Sequence, residues 1–359
     1  MIDEKILKTE ERAVFALRQL YRQYGYLPYK MSKFEEFEYY IRNKDFLISD
    51  RFITFNDIGG KLLALKPDVT LSIVKSREAT PGCKEKVYYN ENIYRAHRST
   101  HQYQEIMQTG LECMGDIDLY DIYEAVTLAA QSLGVISPDF ILQISHLGIL
   151  SHALDTISQD EAFRQQAIGY IAEKNAHDLA RLCQEYGMDS QLLTGLVQAY
   201  GDRKAVIAQL EALCPGAALE ELKALSALLD NAPYGDQIIF DFSVVGNMHY
   251  YNGIVFKGYL SGISDALLSG GQYDKLMEKL GRSGGAIGFA LYLDLLEQLP
   301  APRRGSDVDV LLLYDDPATV PEAMAKLMAE GKTVSAQKNI PQRLRYGQVL
   351  DLRKEAAVC

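Results

Sequence analysis

The residues best suited to binding a small polar molecule alternate along one predicted strand, Glu105–Met114. Successive side chains of a strand point to opposite faces, so Gln108, Gly110 and Glu112 share one face. An amide and a carboxylate separated by a glycine leave room for a ligand to lie against the backbone. A solvated polar face would produce the same pattern. The strand therefore predicts either the floor of a binding site or an exposed surface.

Polar residues of other segments are compatible with the same kind of site. Asp68 and Thr70 precede a predicted helix, where their oxygens could simply cap free backbone N–H groups. Arg95 ends a predicted strand and could bind a carboxylate or phosphate from there, or be exposed. Tyr250 and Tyr251 are adjacent, and a strand would send them to opposite faces. One tyrosine would then line a pocket while the other packs.

Other reactive residue types do not form a recognisable catalytic or metal-binding pattern. His97 and His101 are four residues apart in a polar loop but lack a partnering acid or thiol, so no metal site is predicted. His146 and His249 lie beside apolar strands and are predicted to be structural. The five cysteines form no CxxC pair. Without a phosphate-binding glycine loop or dinucleotide fingerprint, no cofactor is expected.

Composition restricts the class of protein further. A chain of 359 residues suits two or three domains. The net charge of −11 argues against a protein that grips tRNA, because phosphate neutralisation supplies much of that affinity. No apolar run approaches the ~18 residues of a membrane span, and the N-terminus has no signal-peptide core. We expect a cytoplasmic protein that contacts neither membrane nor tRNA.

Strand-like and helix-like segments predict an α+β fold with an interruption. Residues 1–150 and 233–299 are strand-rich and are predicted to form one core. Residues 151–232 are rich in Ala, Leu, Gln and Glu with helical periodicity, which predicts an inserted helical domain. After a Pro- and Gly-containing linker, residues 306–359 are predicted to form a small α/β unit.

The sequence also predicts one further strand, the end of the core and a closing helix. Ile141–Ile149 is predicted to be a strand that leads into a turn. The glycine pairs 270–271 and 284–285 are predicted to mark the end of the core, with a closing helix over Ile287–Leu299.

Several segments, taken in order, resemble motifs of the histidyl-tRNA synthetases, a class II family, over roughly residues 5–299. They are LALKPDVT, VYYNENIYR followed by EIMQTGLECMG, NMHYYNGIVFKGY, and GGQYDKLMEKLG followed by GAIGFALYLDLL. The resemblance implies a class II antiparallel sheet core with flanking helices, which dimerises. It also implies a histidine pocket, made here of Asp68, Thr70, Arg95, Gln108, Glu112, Tyr250 and Tyr251.

The chain departs from the synthetase pattern where catalysis would occur. His97 stands where the family has the glutamate that reads adenine, and Gly246 and Leu295 stand where it has arginines. Each lost guanidinium would remove several kcal/mol of charge stabilisation during adenylation. The C-terminal unit has only about 55 residues and resembles a truncated anticodon-binding domain.

A retained pocket with lost arginines resembles the family of ATP phosphoribosyltransferase regulatory subunits. The resemblance implies a non-catalytic subunit that partners the short-form catalytic subunit and senses histidine. Two alternatives remain open: a divergent histidine-activating enzyme, against which Gly246 and Leu295 argue, and a pseudo-synthetase that regulates an unrelated partner.

Overall fold

The computed structural model of the protein describes residues 7–44, 47, 52–77, 79–96, 102–248, 250–299 and 305–353. The chain divides into two compact units, residues 1–299 and 300–359. No helix within the described ranges combines the length and apolar character needed to cross a membrane.

The first unit is built around strands that pair mostly antiparallel. In chain order these are β1 (Leu27–Pro28), β2 (Phe34–Glu36), β3 (Thr54–Asn56), β4 (Leu62–Leu65), β5 (Lys84–Ala96), β6 (Tyr103–Gly115), β7 (Phe140–His146), β8 (Tyr200–Gly201), β9 (Ile238–Asp241), β10 (Ile254–Leu260), β11 (Leu268–Gln272) and β12 (Gly285–Tyr292). Among described residues, nine of them form one sheet in the order β1-β5-β6-β12-β11-β10-β7-β9-β8, while β2-β4-β3 form a small separate sheet.

Helices flank this sheet and follow β7 in a long run. They are α1 (Thr9–Gln23), α2 (Phe37–Arg42), α3 (Thr70–Ser76), α4 (Leu119–Ile136), α5 (Leu147–Ile157), α6 (Glu161–Ala172), α7 (Ala176–Glu185), α8 (Gln191–Gln198), α9 (Arg203–Leu213), α10 (Ala217–Leu229) and α11 (Asp274–Lys279). Short 3₁₀ helices cover Gly235–Gln237 and Leu293–Gln298. The predicted α+β class, with an antiparallel core and flanking helices, is confirmed.

The long hairpin of β5 and β6 separates two hydrophobic clusters. Leu111 and Cys113 point to one face, where they pack with Leu17 and Tyr21 of α1 in the main core. The alternate residues point to the other face, where Tyr89 and Met114 belong to a second cluster. Period-two alternation therefore delivers Gln108 and Glu112 to the face away from α1.

Helices α5–α10 occupy the segment for which the sequence predicts a helical insertion, and we propose that they form one. Side-chain caps begin several of them; Asp160, for example, accepts a hydrogen bond from Phe163 N at 2.9 Å. Polar contacts tie these helices to the sheet. Lys174 donates to Asp241 Oδ2 on β9 at 2.9 Å, so the turn between α6 and α7 is fixed to the sheet.

One predicted element is too long and another is wrong. The strand predicted over Ile141–Ile149 ends at His146, because His146 Nδ1 accepts a hydrogen bond from Gly148 N at 3.0 Å and caps α5. The helix predicted over Ile287–Leu299 begins instead as strand β12, which pairs with β6 on one side and β11 on the other. A strand buried on both faces is apolar throughout, which obscures its alternation.

The glycine pairs do not end the core either. Gly270 and Gly271 lie inside β11, where added Cβ atoms would overlap Gly288 O and Ile254 O, at 2.4 and 2.7 Å respectively. Gly284 adopts a φ of +85° in the turn that precedes β12.

The second unit is a small parallel sheet with one helix packed on it in the described part of the chain. It contains β13 (Val308–Leu313), α12 (Val320–Ala329), β14 (Val334–Gln337) and β15 (Tyr346–Asp351). β13 lies between β14 and β15, and its apolar run is buried, as the sequence predicts. Val310, Leu312 and Leu327 form its core.

Candidate functional site

A cavity of about 560 Å³ opens on the second-cluster face of the large sheet, and all seven predicted ligand-binding residues line it. Strands β5, β6, β10, β11 and β12 provide its floor, while the start of α3 and the segment 245–251 provide its walls. The lining residues are Leu47, Asp68, Thr70, Tyr89, Arg95, Gln108, Glu112, Val245, Gly246, Asn247, Tyr250, Tyr251, Lys257, Ser269, Tyr273, Gly288, Phe289, Ala290 and Tyr292.

Glu112 is the most deeply buried acid of this cavity, with 2% of its surface exposed. Thr70 Oγ1 donates to Glu112 Oε1 at 2.7 Å, and the Tyr273 hydroxyl donates to Oε2 at 2.6 Å. Burial raises the pKa of Glu112 from 4.5 to about 8, although the two hydroxyl donors lower it in part. The carboxyl group therefore holds a proton at neutral pH unless a cation replaces it.

The floor beneath Glu112 is made of residues without bulky side chains. Gly288 of β12 lies opposite Glu112, and a Cβ at this position would come within 1.7 Å of Glu112 Oε2. The sequence predicts that Gly110 leaves room for a ligand, and this is wrong. The space above Gly110 is filled by Tyr89, whose hydroxyl would lie 2.7 Å from an added Cβ. Gly288 lines the cavity, and Gly110 does not.

Asp68 and Arg95 form the second polar group of the cavity wall. Asp68 Oδ1 accepts from Leu71 N at 2.9 Å and so caps α3, as its position in the sequence predicts. Arg95 Nη2 lies 3.8 Å from Asp68 Oδ2, and Arg95 Nε donates to Pro67 O at 2.8 Å. Burial raises the pKa of Asp68, whereas the Arg95 guanidinium lowers it. A ligand ammonium near Asp68 would therefore compete with Arg95 for the same carboxylate.

Tyr250 and Tyr251 do not point to opposite faces, which corrects the strand-based prediction. Both backbone N–H groups donate to Asn247 O, at 2.9 and 2.8 Å, so the pair sits in a turn. The two rings meet edge to face with centroids 4.5 Å apart, and both line the cavity. Tyr250 also packs against Tyr273, with centroids 5.5 Å apart.

The segment that carries these tyrosines is fixed to the sheet by side-chain hydrogen bonds. Asn252 Nδ2 donates to Asp274 Oδ2 at 2.9 Å, and Asp274 N donates to Asn252 Oδ1 at 2.8 Å. Asp274 Oδ1 also accepts from Ala286 N at 2.9 Å. One carboxylate therefore joins the tyrosine segment, α11 and β12, which holds the cavity walls in register.

Gln108 completes the polar floor, and the exposed-face interpretation of its strand is wrong. The residue is 3% exposed and lies opposite Tyr292 of β12. Tyr273, Lys257 and Tyr292 also line the cavity, and the sequence patterns did not predict them. Tyr273 stands in the matched GGQYDKL segment two residues after Gly271, so period-two alternation from that glycine could have found it.

Gly246 and Leu295, which stand where the synthetases have arginines, lie in different parts of the first unit. Gly246 lines the cavity, and an added Cβ would come within 2.9 Å of the Tyr251 ring. Leu295 is not among the lining residues; it packs against the main hydrophobic core from the 3₁₀ helix Leu293–Gln298. His97, His101 and His249 lie outside the described residues. Within the described ranges, no group of three or more His, Cys, Asp or Glu side chains could hold a metal.

This arrangement suits a small ligand with a cationic group. A buried carboxyl group with a raised pKa is stabilised by a cation that displaces its proton. Aromatic rings supply apolar contact, and an amide and hydroxyls satisfy the remaining polar atoms, as a buried polar ligand requires. The geometry therefore favours a small polar ligand that carries a cationic group.

The pH dependence of stability tests the state of Glu112. The folded protein retains a proton near pH 7 that the unfolded chain, with a pKa of 4.5, releases. The stabilisation is complete below that pKa and is lost as pH rises through about 8. We expect Glu112→Gln to lack this loss, so that its free energy of unfolding relative to wild type rises by a few kcal/mol between about pH 5 and about pH 9. Urea unfolding across this range measures the difference.

Glu105→Gln is the matched control on the same strand. Hydrogen bonds from Asn92 and Tyr94 lower the pKa of Glu105, so its contribution is lost as pH falls and not as it rises. Its difference from wild type should stay constant above about pH 6. Parallel curves for Glu112→Gln and wild type between about pH 5 and about pH 8 would show that Glu112 is not protonated in the folded state.

The chain is similar to one curated relative in sequence and to two solved structures in fold. A protein of Bacillus cereus (strain ATCC 10987 / NRS 248), named ATP phosphoribosyltransferase regulatory subunit, is 26% identical over 316 residues, covering 83% of this chain and 75% of the relative. A crystal structure of an ATP phosphoribosyltransferase regulatory subunit/histidyl-tRNA synthetase from Bacillus halodurans has a TM-score of 0.77 and 24% identity, covering 99% of this chain and 97% of that one.

A chain of an ATP phosphoribosyl transferase (HisG:HisZ) complex from Thermotoga maritima has a TM-score of 0.64 and 20% identity, with 79% of this chain and 97% of that chain covered. At these identities the two structures establish the fold, which is the class II synthetase fold. The family model for histidyl-tRNA synthetase matches residues 2–296. The chain belongs to the histidyl-tRNA synthetase family.

Proposed function

We propose that the protein is the non-catalytic regulatory subunit of ATP phosphoribosyltransferase, the first enzyme of histidine biosynthesis. The observation that carries the proposal is the combination of a built amino-acid cavity around Glu112 with a glycine, Gly246, in its wall where synthetases of this family have an arginine. In this role the chain binds the short-form catalytic subunit, supports its activity and transmits inhibition by histidine.

The cavity geometry supports histidine as the effector. Glu112 and Asp68 offer carboxylates to the ammonium group and to an imidazole N–H, and Gln108, Thr70 and the tyrosines satisfy the remaining polar groups. Arg95 orients Asp68. An apolar amino acid would offer neither a cation to replace the proton that Glu112 holds at neutral pH nor a further hydrogen-bond partner for this carboxyl group. The pocket thus favours a ligand with two nitrogen donors.

Adenylation would lack charge stabilisation in the same cavity. A side chain at Gly246 would collide with the Tyr251 ring, and Leu295 is held in the main core by packing. Neither position offers a guanidinium to phosphate oxygens. Loss of two such groups slows a reaction by orders of magnitude, because the stabilisation is greatest in the transition state. A histidine sensor needs the residues that bind the amino acid, but it does not need arginines that bind the phosphates of ATP.

Histidine regulates the complex only if it binds active and inhibited states with different affinities. We propose that the ligand-bound cavity favours the inhibited state of the hetero-oligomer. A dimer of synthetase-like cores belongs to the same proposal, and light scattering of the purified chain tests it. Similarity to the relative named as a regulatory subunit, over 83% of this chain, also supports the partnership.

Reconstitution is the decisive experiment. We expect the chain to co-elute with a short-form ATP phosphoribosyltransferase in size-exclusion chromatography. The complex should join ATP to phosphoribosyl pyrophosphate with release of pyrophosphate, and added histidine should inhibit it. The chain alone should show no turnover. Absence of both co-elution and activation would refute the partnership.

A second assay addresses the enzyme alternative. Histidine-dependent exchange of labelled pyrophosphate into ATP reports amino-acid activation directly. We expect none from the purified chain at enzyme concentrations at which an authentic histidyl-tRNA synthetase is readily detected. Clear exchange would establish a divergent histidine-activating enzyme instead. A chain that binds histidine but neither exchanges nor activates the phosphoribosyltransferase would support regulation of another partner.

A further inference from the structure

Lys257 lies in the cavity floor, and its position is not explained by the packing of the sheet. It stands on β10 between Ser269 of β11 and Gln143 of β7, and both Lys257 and Ser269 line the cavity. The residue is half-buried. Val255, two residues earlier on the same face of β10, is apolar and buried, and its Cγ1 would lie 3.6 Å from a Cβ at Gly246.

The ammonium group of Lys257 has no acceptor among the residues that the structure describes. It forms no hydrogen bond or ion pair with them, whereas the other lining cation, Arg95, is occupied by Pro67 O and Asp68. A lysine has three donors, and withdrawing them from water without acceptors costs free energy. An acceptor that arrives with the ligand removes this cost.

The sheet register places Lys257 far across the cavity from Glu112. Glu112 on β6 is linked through Gly288 and Gly271 to Val255 on β10, two residues before Lys257. Three strand spacings and two residues along the strand separate the Cα atoms by ~16 Å. Glu112 shortens this gap, because its Oε2 lies over Gly288, one strand closer to Lys257. A ligand that bridges it has a cationic group at Glu112 and an anionic group at Lys257.

Within the described part of the cavity, no other lining residue on that side carries a positive charge. The neighbouring wall consists of Val245, Gly246 and Asn247. We propose that Lys257 binds the carboxylate of the amino-acid ligand and so distinguishes an amino acid from the corresponding amine. The inference rests on the proposed histidine-sensing function, because it assumes that an amino acid occupies the cavity.

The test compares histidine with histamine, which has the imidazole and amine but lacks the carboxylate. Isothermal titration calorimetry of the full chain should show that Lys257→Met weakens histidine binding ~10- to 100-fold, the range of one charge-assisted hydrogen bond. Histamine binding should be unchanged or stronger, because a like charge has been removed. Lys326→Met, at an exposed position on α12, is the control for loss of a lysine and should leave both affinities unchanged.

The ratio of the two affinities separates recognition from structural damage. A variant that weakens histidine and histamine equally would overturn the role of Lys257, and so would a folded Lys257→Met that binds histidine as wild type does. Lys257→Arg, which keeps the charge, should retain most of the preference for histidine. If wild type binds no histidine, alone or in its complex, the sensing function itself fails, and the inference fails with it.

Discussion

Glu112→Gln is expected to weaken histidine binding by on the order of 100-fold, because it replaces a charge-assisted hydrogen bond by a neutral one in a buried site. The substitution keeps the shape of the side chain. Its amide oxygen can accept from one of the hydroxyls of Thr70 and Tyr273, and its NH₂ can donate to the other, so the cavity wall should stay in place. Calorimetric titration with histidine measures the loss.

The protonation of Glu112 gives this prediction a second readout. Because burial raises the pKa of Glu112 to about 8, a cationic ligand must displace a proton at neutral pH. Binding heats of wild type should therefore depend on the ionisation enthalpy of the buffer, and those of Glu112→Gln should depend on it less. Glu105→Gln, outside the cavity on the same strand, should bind as wild type does. Undiminished histidine affinity in a folded Glu112→Gln would remove Glu112 from the site.

Gly288→Ala is expected to destabilise the protein by about 3 kcal/mol and to abolish histidine binding. The added Cβ would come within 1.7 Å of Glu112 Oε2 and 2.5 Å of Leu111 O. The first overlap displaces the carboxyl group from Thr70 and Tyr273. The second is with backbone in the middle of a sheet, where pairing on both sides of β12 limits movement. Thermal and urea unfolding measure the stability loss.

Gly169→Ala is the matched control, because an added Cβ there would meet no heavy atom within 4 Å beyond its chain neighbours and the backbone of its own helix. Gly169 stands in the interior of α6, where alanine has the higher helix propensity, so stability should be unchanged or higher by up to about 1 kcal/mol. Equal stability of Gly288→Ala and wild type would contradict the tight approach of β6 and β12.

Local patterns in the sequence predicted the strand that is β6 and the alternation that places its polar residues on one face. Alternation with a period of two follows from the geometry of a strand, so the residue order alone assigns Gln108 and Glu112 to one side. The start of α3 could also be predicted from the sequence, since Asp68 has a residue type and a position that favour helix capping. The resemblance to synthetase motifs then predicted that Tyr250, Tyr251 and Arg95 belong to the same pocket.

Features that depend on pairing between distant strands could not be predicted from the sequence. Strand β12 was predicted as a helix because Gly285–Tyr292 is buried on both faces and shows no clear alternation. The turn at Asn247, which sends both tyrosines into the cavity, is made by backbone hydrogen bonds and not by a glycine or proline signal. Lys257 looks ordinary in sequence, and only the register with Ser269 reveals that it lines the cavity.

Strands β7 and β9 run parallel and side by side, with Leu142 opposite Ile238, so the chain must cross over between them. A parallel pair needs a connection of about a dozen residues or more, and helices α5–α10 provide it. Loop-closure entropy grows slowly, by about 0.6 kcal/mol for each doubling of length. No described residue of this crossover lines the cavity. Substitutions at exposed positions of these helices can therefore accumulate in evolution or by design while the recognition chemistry is preserved.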